Sequence, residues 1–338
     1  MTKHAKSITR RSFLNSSAAV AGAGALGLGT ASPAFAQEFP SRDFSVVIPT
    51  GEGGGVDRAA RAFTRVWSDI IGANFEFGYY PGASGQVGYE LYLNRRDADV
   101  YNLLFGNIAP EMIMYATQNP DFQYPEDFLY LAGIDVDDSV IWVAQNSKFE
   151  TIQDLIEEGQ SRTITLSTSR LPHPSTIGAL LLAEETGMDV RMIPYGGGSA
   201  ARSAAVTGEV DGCATFMSSS LSLSDQIRFL GVFTGRNRVP GMTNEAPPLN
   251  EALGLDMPAL QGQRTWALQR AAYEEYPERV DTLLTTLQEV FDAPEYKDAV
   301  KQAGTPWEFI EYTDAEACQE SAQTIIDLAR RYQDVLSG

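Results

Sequence analysis

Three glycine-rich stretches stand where a strand pattern hands over to a helix pattern, a place where backbone amides can hold an anion. The first, Thr50-Gly51-Glu52-Gly53-Gly54-Gly55-Val56-Asp57, follows the apolar run 44–48. A phosphate loop would need Lys and then Ser or Thr after the last glycine, and Val56-Asp57 stands there instead. The dinucleotide fingerprint fails too, because Val56 takes the place of its last glycine. Asp57, in the first helical turn, has a structural role as a cap. The second stretch, Gly82-Ala83-Ser84-Gly85-Gln86, is close to a nucleophile elbow, but Gln86 replaces the final glycine. The third is Gly196-Gly197-Gly198-Ser199.

A Ser–His mechanism would rest on His173, since the other histidine is His4. His173 lies between Pro172 and Pro174, which reads as a loop near a helix start, either lining a pocket or on the surface. His4 falls in the N-terminal segment read below as a cleaved export signal, so His173 alone would remain, which excludes a multi-histidine metal site. Cys213 and Cys318 are too few for a disulfide framework. An oxidising compartment would permit a bridge, but they read as two separate small apolar side chains. No cofactor or metal is expected.

The elements that must position these turns alternate strand and helix, the grammar of an α/β protein with parallel sheets. Residues 44–48 read as a strand, 57–71 as an amphipathic helix stopped by Gly72, 75–80 and 102–105 as strands. The pattern returns at 141–144 and 163–166, with a helix capped by Ser175 and running to Gly187. A strand at 190–193, a helix at 199–207 and a strand at 210–216 follow. After Gln261 the pattern is largely helical, at 278–291, 294–303 and 314–335. Two such halves imply two lobes around a cleft.

The chain has 338 residues, with 25 Lys+Arg against 44 Asp+Glu. Lys3, Lys6, Arg10 and Arg11 precede an Ala/Gly-rich apolar stretch and Ala34-Phe35-Ala36, the layout of a cleaved export signal. Thr9-Arg10-Arg11-Ser12-Phe13-Leu14-Asn15 matches the twin-arginine pattern except that Asn15 replaces its usual Lys. The apolar stretch is shorter than the roughly 20 residues a membrane span needs. Cleavage after Ala36 would leave 302 residues and move the net charge from −19 to −23, since four basic and no acidic residues depart. That charge excludes nucleic acid and anionic membrane as partners. An anion site in such a field must be made locally, by backbone amides and helix N-termini.

Arg42-Asp43-Phe44-Ser45-Val46-Val47-Ile48-Pro49, then the triple glycine with Asp57 and Arg61, resembles the opening of the tripartite tricarboxylate transporter binding proteins, the Bug or TctC family. Pro81-Gly82-Ala83-Ser84-Gly85, Ile193-Pro194-Tyr195-Gly196-Gly197-Gly198 and Gly208-Glu209-Val210-Asp211 are similar to later family motifs, in order. The resemblance implies a type II periplasmic-binding-protein fold with two α/β lobes, 37–138 plus 262–338 and 139–261, closing on a ligand. It implies that one carboxylate of a small organic anion is gripped by Thr50, Gly53, Gly54, Ser84, Gly85 and Asn107 from the first lobe. Thr168, Ser169, Ser175, Tyr195 and Asp211 would hold it from the second. It further implies a monomeric periplasmic receptor, not an enzyme, that hands its ligand to membrane permease subunits. Alternative readings are a periplasmic enzyme of similar fold acting on a carboxylate, and a receptor presenting ligand to a sensor kinase. Glu52, where the family usually has Pro, would face solvent, pair with Arg170 or Arg264, or recognise a positive group on the ligand.

Overall fold

The structure, a computed structural model, describes residues 39–336. The export segment expected at 1–36 lies outside the described residues. The strands are β1 (Phe44–Ile48), β2 (Phe75–Tyr79), β3 (Asn102–Asn107), β4 (Phe128–Ala144), β5 (Ile164–Thr168), β6 (Val190–Pro194), β7 (Gly212–Phe216), β8 (Ile227–Val232), β9 (Gln261–Gln269) and β10 (Ile310–Thr313). The helices are α1 (Gly55–Ile71), α2 (Gln86–Arg95), α3 (Ile108–Gln118), α4 (Ile152–Gly159), α5 (Pro174–Thr186) and α6 (Gly198–Val206). Then come α7 (Leu249–Leu253), α8 (Arg270–Glu275), α9 (Pro277–Asp292), α10 (Pro294–Gln302), α11 (Ala315–Arg331) and α12 (Gln333–Leu336).

The strand order β2-β1-β3-β9-β4-β7-β5-β6 holds two parallel groups joined through β4 and β9. β1 pairs in parallel with β2 and β3, and β5 with β6 and β7, as helical crossovers require. β4 is the common member. Its residues up to Asp138 pair antiparallel with β9, and from Ser139 onward it pairs with β7 and β8. The two halves therefore share one long, wholly buried strand.

α1 forms because Phe63, Val66, Trp67 and Ile71 recur on one face, and Gly72 ends it at φ 77°, its N–H donating to Ser68 O at 3.0 Å. That face packs into an aromatic cluster in the first half. Trp67 meets Trp266 edge-on with ring centroids 5.1 Å apart, and Phe63 meets Tyr296 at 5.3 Å. Cys213 and Cys318 are separate, free and buried.

Two expectations change. The segment 261–269 is a strand, not a prelude to helix, because its polar groups meet partners inside the protein. Gln263 N donates to Asn107 Oδ1 at 3.1 Å, and Arg264 N to Asp135 Oδ1 at 3.2 Å. The cap of α5 is His173, not Ser175. Pro174 pre-sets the first helical φ, so the helix begins two residues earlier, and Ser175 N donates to His173 Nδ1 at 3.2 Å.

Candidate functional site

The carboxyl ends of β1, β2 and β3 in one half and of β5, β6 and β7 in the other converge on a cavity of about 630 Å³. This is where α/β sheets of this kind bind ligands, and the size is that of a small-molecule site. β1 delivers its glycine turn there, and Asp57 fixes the turn's shape. Its carboxylate accepts from Gly53 N at 2.7 Å, Arg61 Nε at 2.7 Å and Tyr79 Oη at 2.6 Å. Burial works to raise the Asp57 pKa, but the bonds from Tyr79, Gly53 and Arg61 outweigh it and hold the carboxyl below its ordinary range. The structural role expected of Asp57 is thus filled by reaching back into the turn. After β2, Ala83 and Ser84 lie in left-handed backbone at φ 43° and 57°, and Gly85 follows at φ 110°. Non-glycine residues so placed cost about 1–3 kcal/mol each and gather at ligand-holding turns.

Side-chain cations contribute what backbone amides alone were expected to supply. Arg58, Arg170, Arg202 and Arg264 all line the cavity. Arg264 is already neutralised: Nη1 lies 2.5 Å from Asp135 Oδ2 and Nη2 3.1 Å from Asp137 Oδ2, all three side chains being buried. Burial opposes its charge, and the two aspartates overcome this and raise its pKa. Its guanidinium lies against the first turn of α1, where a Cβ on Gly55 would meet Nη2 at 3.2 Å. Arg170 is different. It reaches from the second half to donate through Nη1 to Ser84 O of the first half at 2.8 Å. No carboxylate forms an ion pair with it among the described residues. It is half-buried and opens on the cavity, and desolvation pulls its pKa down.

Of the residues expected to hold a ligand, Thr50, Gly53, Gly54, Ser84, Gly85, Asn107 and Ser169 line the cavity. Thr168, Ser175, Tyr195 and Asp211 do not. Thr168 turns inward, donating to Arg170 O at 3.2 Å and accepting from Thr176 Oγ1 at 3.4 Å. Ser175 is buried behind His173, so it does not face Ser84 across the cleft. Tyr195 donates to Glu209 Oε1 at 2.9 Å, away from the cavity. Asp211 precedes β7 and so sits at the opposite end of the sheet. There it accepts from Thr165 N at 2.8 Å and pairs with Arg162 at 2.8 Å. Glu52 meets neither cation foreseen for it. It faces solvent, 70% exposed, with Arg61 Nη2 at 3.2 Å.

His173 lines the cavity with its ring 4.3 Å from that of Phe216. Burial, and then Arg170, push its pKa down to about 3, so the ring is neutral at ordinary pH. Nδ1 accepts from Ser175 N, which leaves the proton on Nε2. A ring so held presents a donor and is a poor general base.

Beneath Arg170 lies Glu111, fully buried, with Tyr89 Oη donating to Oε2 at 2.6 Å and Asn107 N donating to Oε1 at 2.9 Å. Burial drives its pKa up to about 7, against the pull of Tyr89, Asn107 and Arg170. The folded state therefore holds a proton that the unfolded chain gives up near pH 4.5. By linkage, the Glu111 contribution to stability is greatest below about pH 4.5 and is lost as pH rises to about 7. Glu111→Gln should abolish this decline. Denaturation midpoints of the two proteins should diverge between pH 5 and 7 and run parallel above; parallel curves throughout would contradict the assignment.

No profile of a known family matches the chain. Among curated proteins, it is 27% identical over 270 residues to the UPF0065 protein in the tcbD-tcbE intergenic region of Pseudomonas sp. strain P51, covering 79% of each. It is 25% identical over 173 residues to protein BugT of Bordetella pertussis, 50% of this chain and 53% of that one. Among solved structures, a TctC solute binding protein from Polaromonas superposes with a TM-score of 0.71 at 18% identity, covering 88% of this chain and 99% of that one. An R. palustris protein with adipate gives 0.70 at 21% identity, covering 88% and 97%. MatC from Rhodopseudomonas palustris with bound malate gives 0.68 at 20%, covering 88% and 100%. The fold is that of the two-lobed periplasmic binding proteins. Within that class, sequence relatives and fold neighbours carry Bug and TctC names, which shows the resemblance to the Bug/TctC substrate-binding proteins that the motifs carried.

Proposed function

We propose that this chain is an extracytoplasmic solute receptor that captures a small organic carboxylate and delivers it, unchanged, to the permease subunits of a tripartite tricarboxylate transporter. The observation that carries the reading is Arg170, a guanidinium with no ion-pair partner among the described residues, opening on a cavity between glycine turns of both halves. Residues 37–138 plus 262–338 and residues 139–261 act as lobes, and β4 and β9 serve as the crossings on which they close. Thr50, Gly53, Gly54, Ser84, Gly85, Asn107 and Ser169 ring the acidic group from the turns. The adipate and malate in the similar structures support the ligand class. Residues 1–36 act as a twin-arginine-type signal removed on export to the periplasm, where the receptor works as a monomer. The neutral, hydrogen-bonded His173 supports a receptor over a hydrolase.

A thermal-shift screen of mono- and dicarboxylates, neutral sugars and nucleotides tests this. A carboxylate at about 100 times its Kd should add roughly 2.7 kcal/mol of stability, a rise of several degrees, and be recovered chemically intact. Shifts with sugars alone, or conversion of the compound, would overturn the reading.

A further inference from the structure

Arg58 and Arg202 occupy matching places in the two halves. Each stands one turn into the helix that follows a triple glycine: Gly53-Gly54-Gly55 before Arg58 in α1, and Gly196-Gly197-Gly198 before Arg202 in α6. Each guanidinium folds back over its own turn. Arg58 Nη1 donates to Gly53 O at 2.8 Å. Arg202 Nη2 donates to Ser199 Oγ at 3.4 Å, and its Nη1 fills the space that a Cβ on Gly198 would take, 3.0 Å away. This is the positive end of each helix dipole, where a cation is locally unfavourable and an anion is welcome. Neither arginine forms an ion pair among the described residues, whereas Arg264 in the same cavity has two aspartates. Both line the cavity, one from each half. They are close enough that Arg58, after burial, helps to pull the Arg202 pKa down.

Two unpaired cations lining one cleft from its two halves, Arg58 exposed and Arg202 half-buried, resist its closing. An anionic group between them turns that repulsion into two attractions, each a charge-assisted hydrogen bond of the stronger kind. We infer that Arg58 and Arg202 form a clamp, one jaw on each half, for a second acidic group of the ligand, so that the site selects doubly charged anions over singly charged ones of equal length. This rests on the carboxylate-receptor reading above and adds the residues that set ligand charge. The first acidic group stays with Arg170, and the cavity of about 630 Å³ has room for both.

Calorimetric titration of the full chain with straight-chain diacids of four to six carbons, each against the monoacid of equal length, tests the clamp. At least one diacid should bind about tenfold or more tighter than its monoacid. Arg202→Gln and Arg58→Gln should each erase most of that preference, weakening the diacid far more than the monoacid. Arg202→Lys should keep part of it, because charge persists without the guanidinium fork. Unchanged melting curves for the variants separate loss of the clamp from loss of the fold. Equal wild-type affinity for diacids and monoacids, or a preference that survives both substitutions, would overturn the clamp while leaving the receptor intact. Absence of binding by any acid of the series would overturn the carboxylate reading and the clamp with it.

Discussion

Arg170→Gln should weaken binding of the tightest carboxylate by roughly 30-fold or more, because removing one partner of a desolvated charge contact costs about 2 kcal/mol or above. The effect is large because Arg170 is half-buried in the cavity wall and its bond to Ser84 O already aims it at the strained turn after β2. Melting temperature without ligand should change little, since no carboxylate is paired with Arg170 in the described structure. Removing this charge should also raise the pKa values of Glu111 and His173, on both of which Arg170 acts downward. Calorimetry gives the affinity, and NMR titration of the His173 ring gives the second readout. An affinity within threefold of wild type would remove Arg170 from the site.

Arg264→Met should destabilise the protein by about 3–5 kcal/mol, because Asp135 and Asp137 would be left buried without their counter-ion. Asp137 keeps some help, accepting from Ser218 N at 2.9 Å and from Ser218 Oγ. Burial already raises its pKa against the pull of Arg264 and Ser218, so loss of the arginine leaves it still harder to ionise. Urea denaturation should show the midpoint falling sharply. Adding Asp135→Asn and Asp137→Asn to the same chain should restore much of the loss, since the damage lies in the orphaned charges and not in lost packing. If the triple variant is no more stable than Arg264→Met alone, the charges are not what the arginine serves.

The first half of each lobe was legible because its signals are local. Phe44-Ser45-Val46-Val47-Ile48 is apolar enough to read as a buried strand, Pro49 closes it, and the 3.6-residue stripe of α1 begins just past the glycines. The end of β4 at 141–144 was read as a strand, but its long first part and β9 were not legible. Asp135, Asp137 and Asp138 look like a polar loop, and Arg264, Arg238 and Ser218, arriving from 80 or more residues away in the chain, allow them into a buried strand. A sequence shows that the charges exist but not that they meet.

The site divides the same way. The turns after β1, β2 and β3 were found because glycine spacing marks backbone geometry, which is local. Asp211 was misplaced because a Gly-x-Val-Asp motif marks the start of a strand, and the ligand-facing ends are at the other edge of the sheet. Ser175 was misplaced because Pro174 moved the helix start and left its hydroxyl buried without a partner. Arg58 and Arg202 carried a signal that went unread: an arginine one turn after a triple glycine, twice. The strongly acidic composition drew attention to backbone amides and away from these few cations, yet a local cluster of guanidinium groups decides the potential inside a cavity more than distant surface carboxylates screened by salt.

The central claim is that the cleft holds the acidic group of a small organic ion against Arg170. A crystal structure of the chain with the tightest carboxylate from the thermal screen tests it most directly. The account predicts a carboxylate oxygen within hydrogen-bond distance of the Arg170 guanidinium, facing the turn that carries Ser84 and Gly85. A ligand bound elsewhere, or one in the cleft whose acidic group leaves Arg170 untouched, would contradict it.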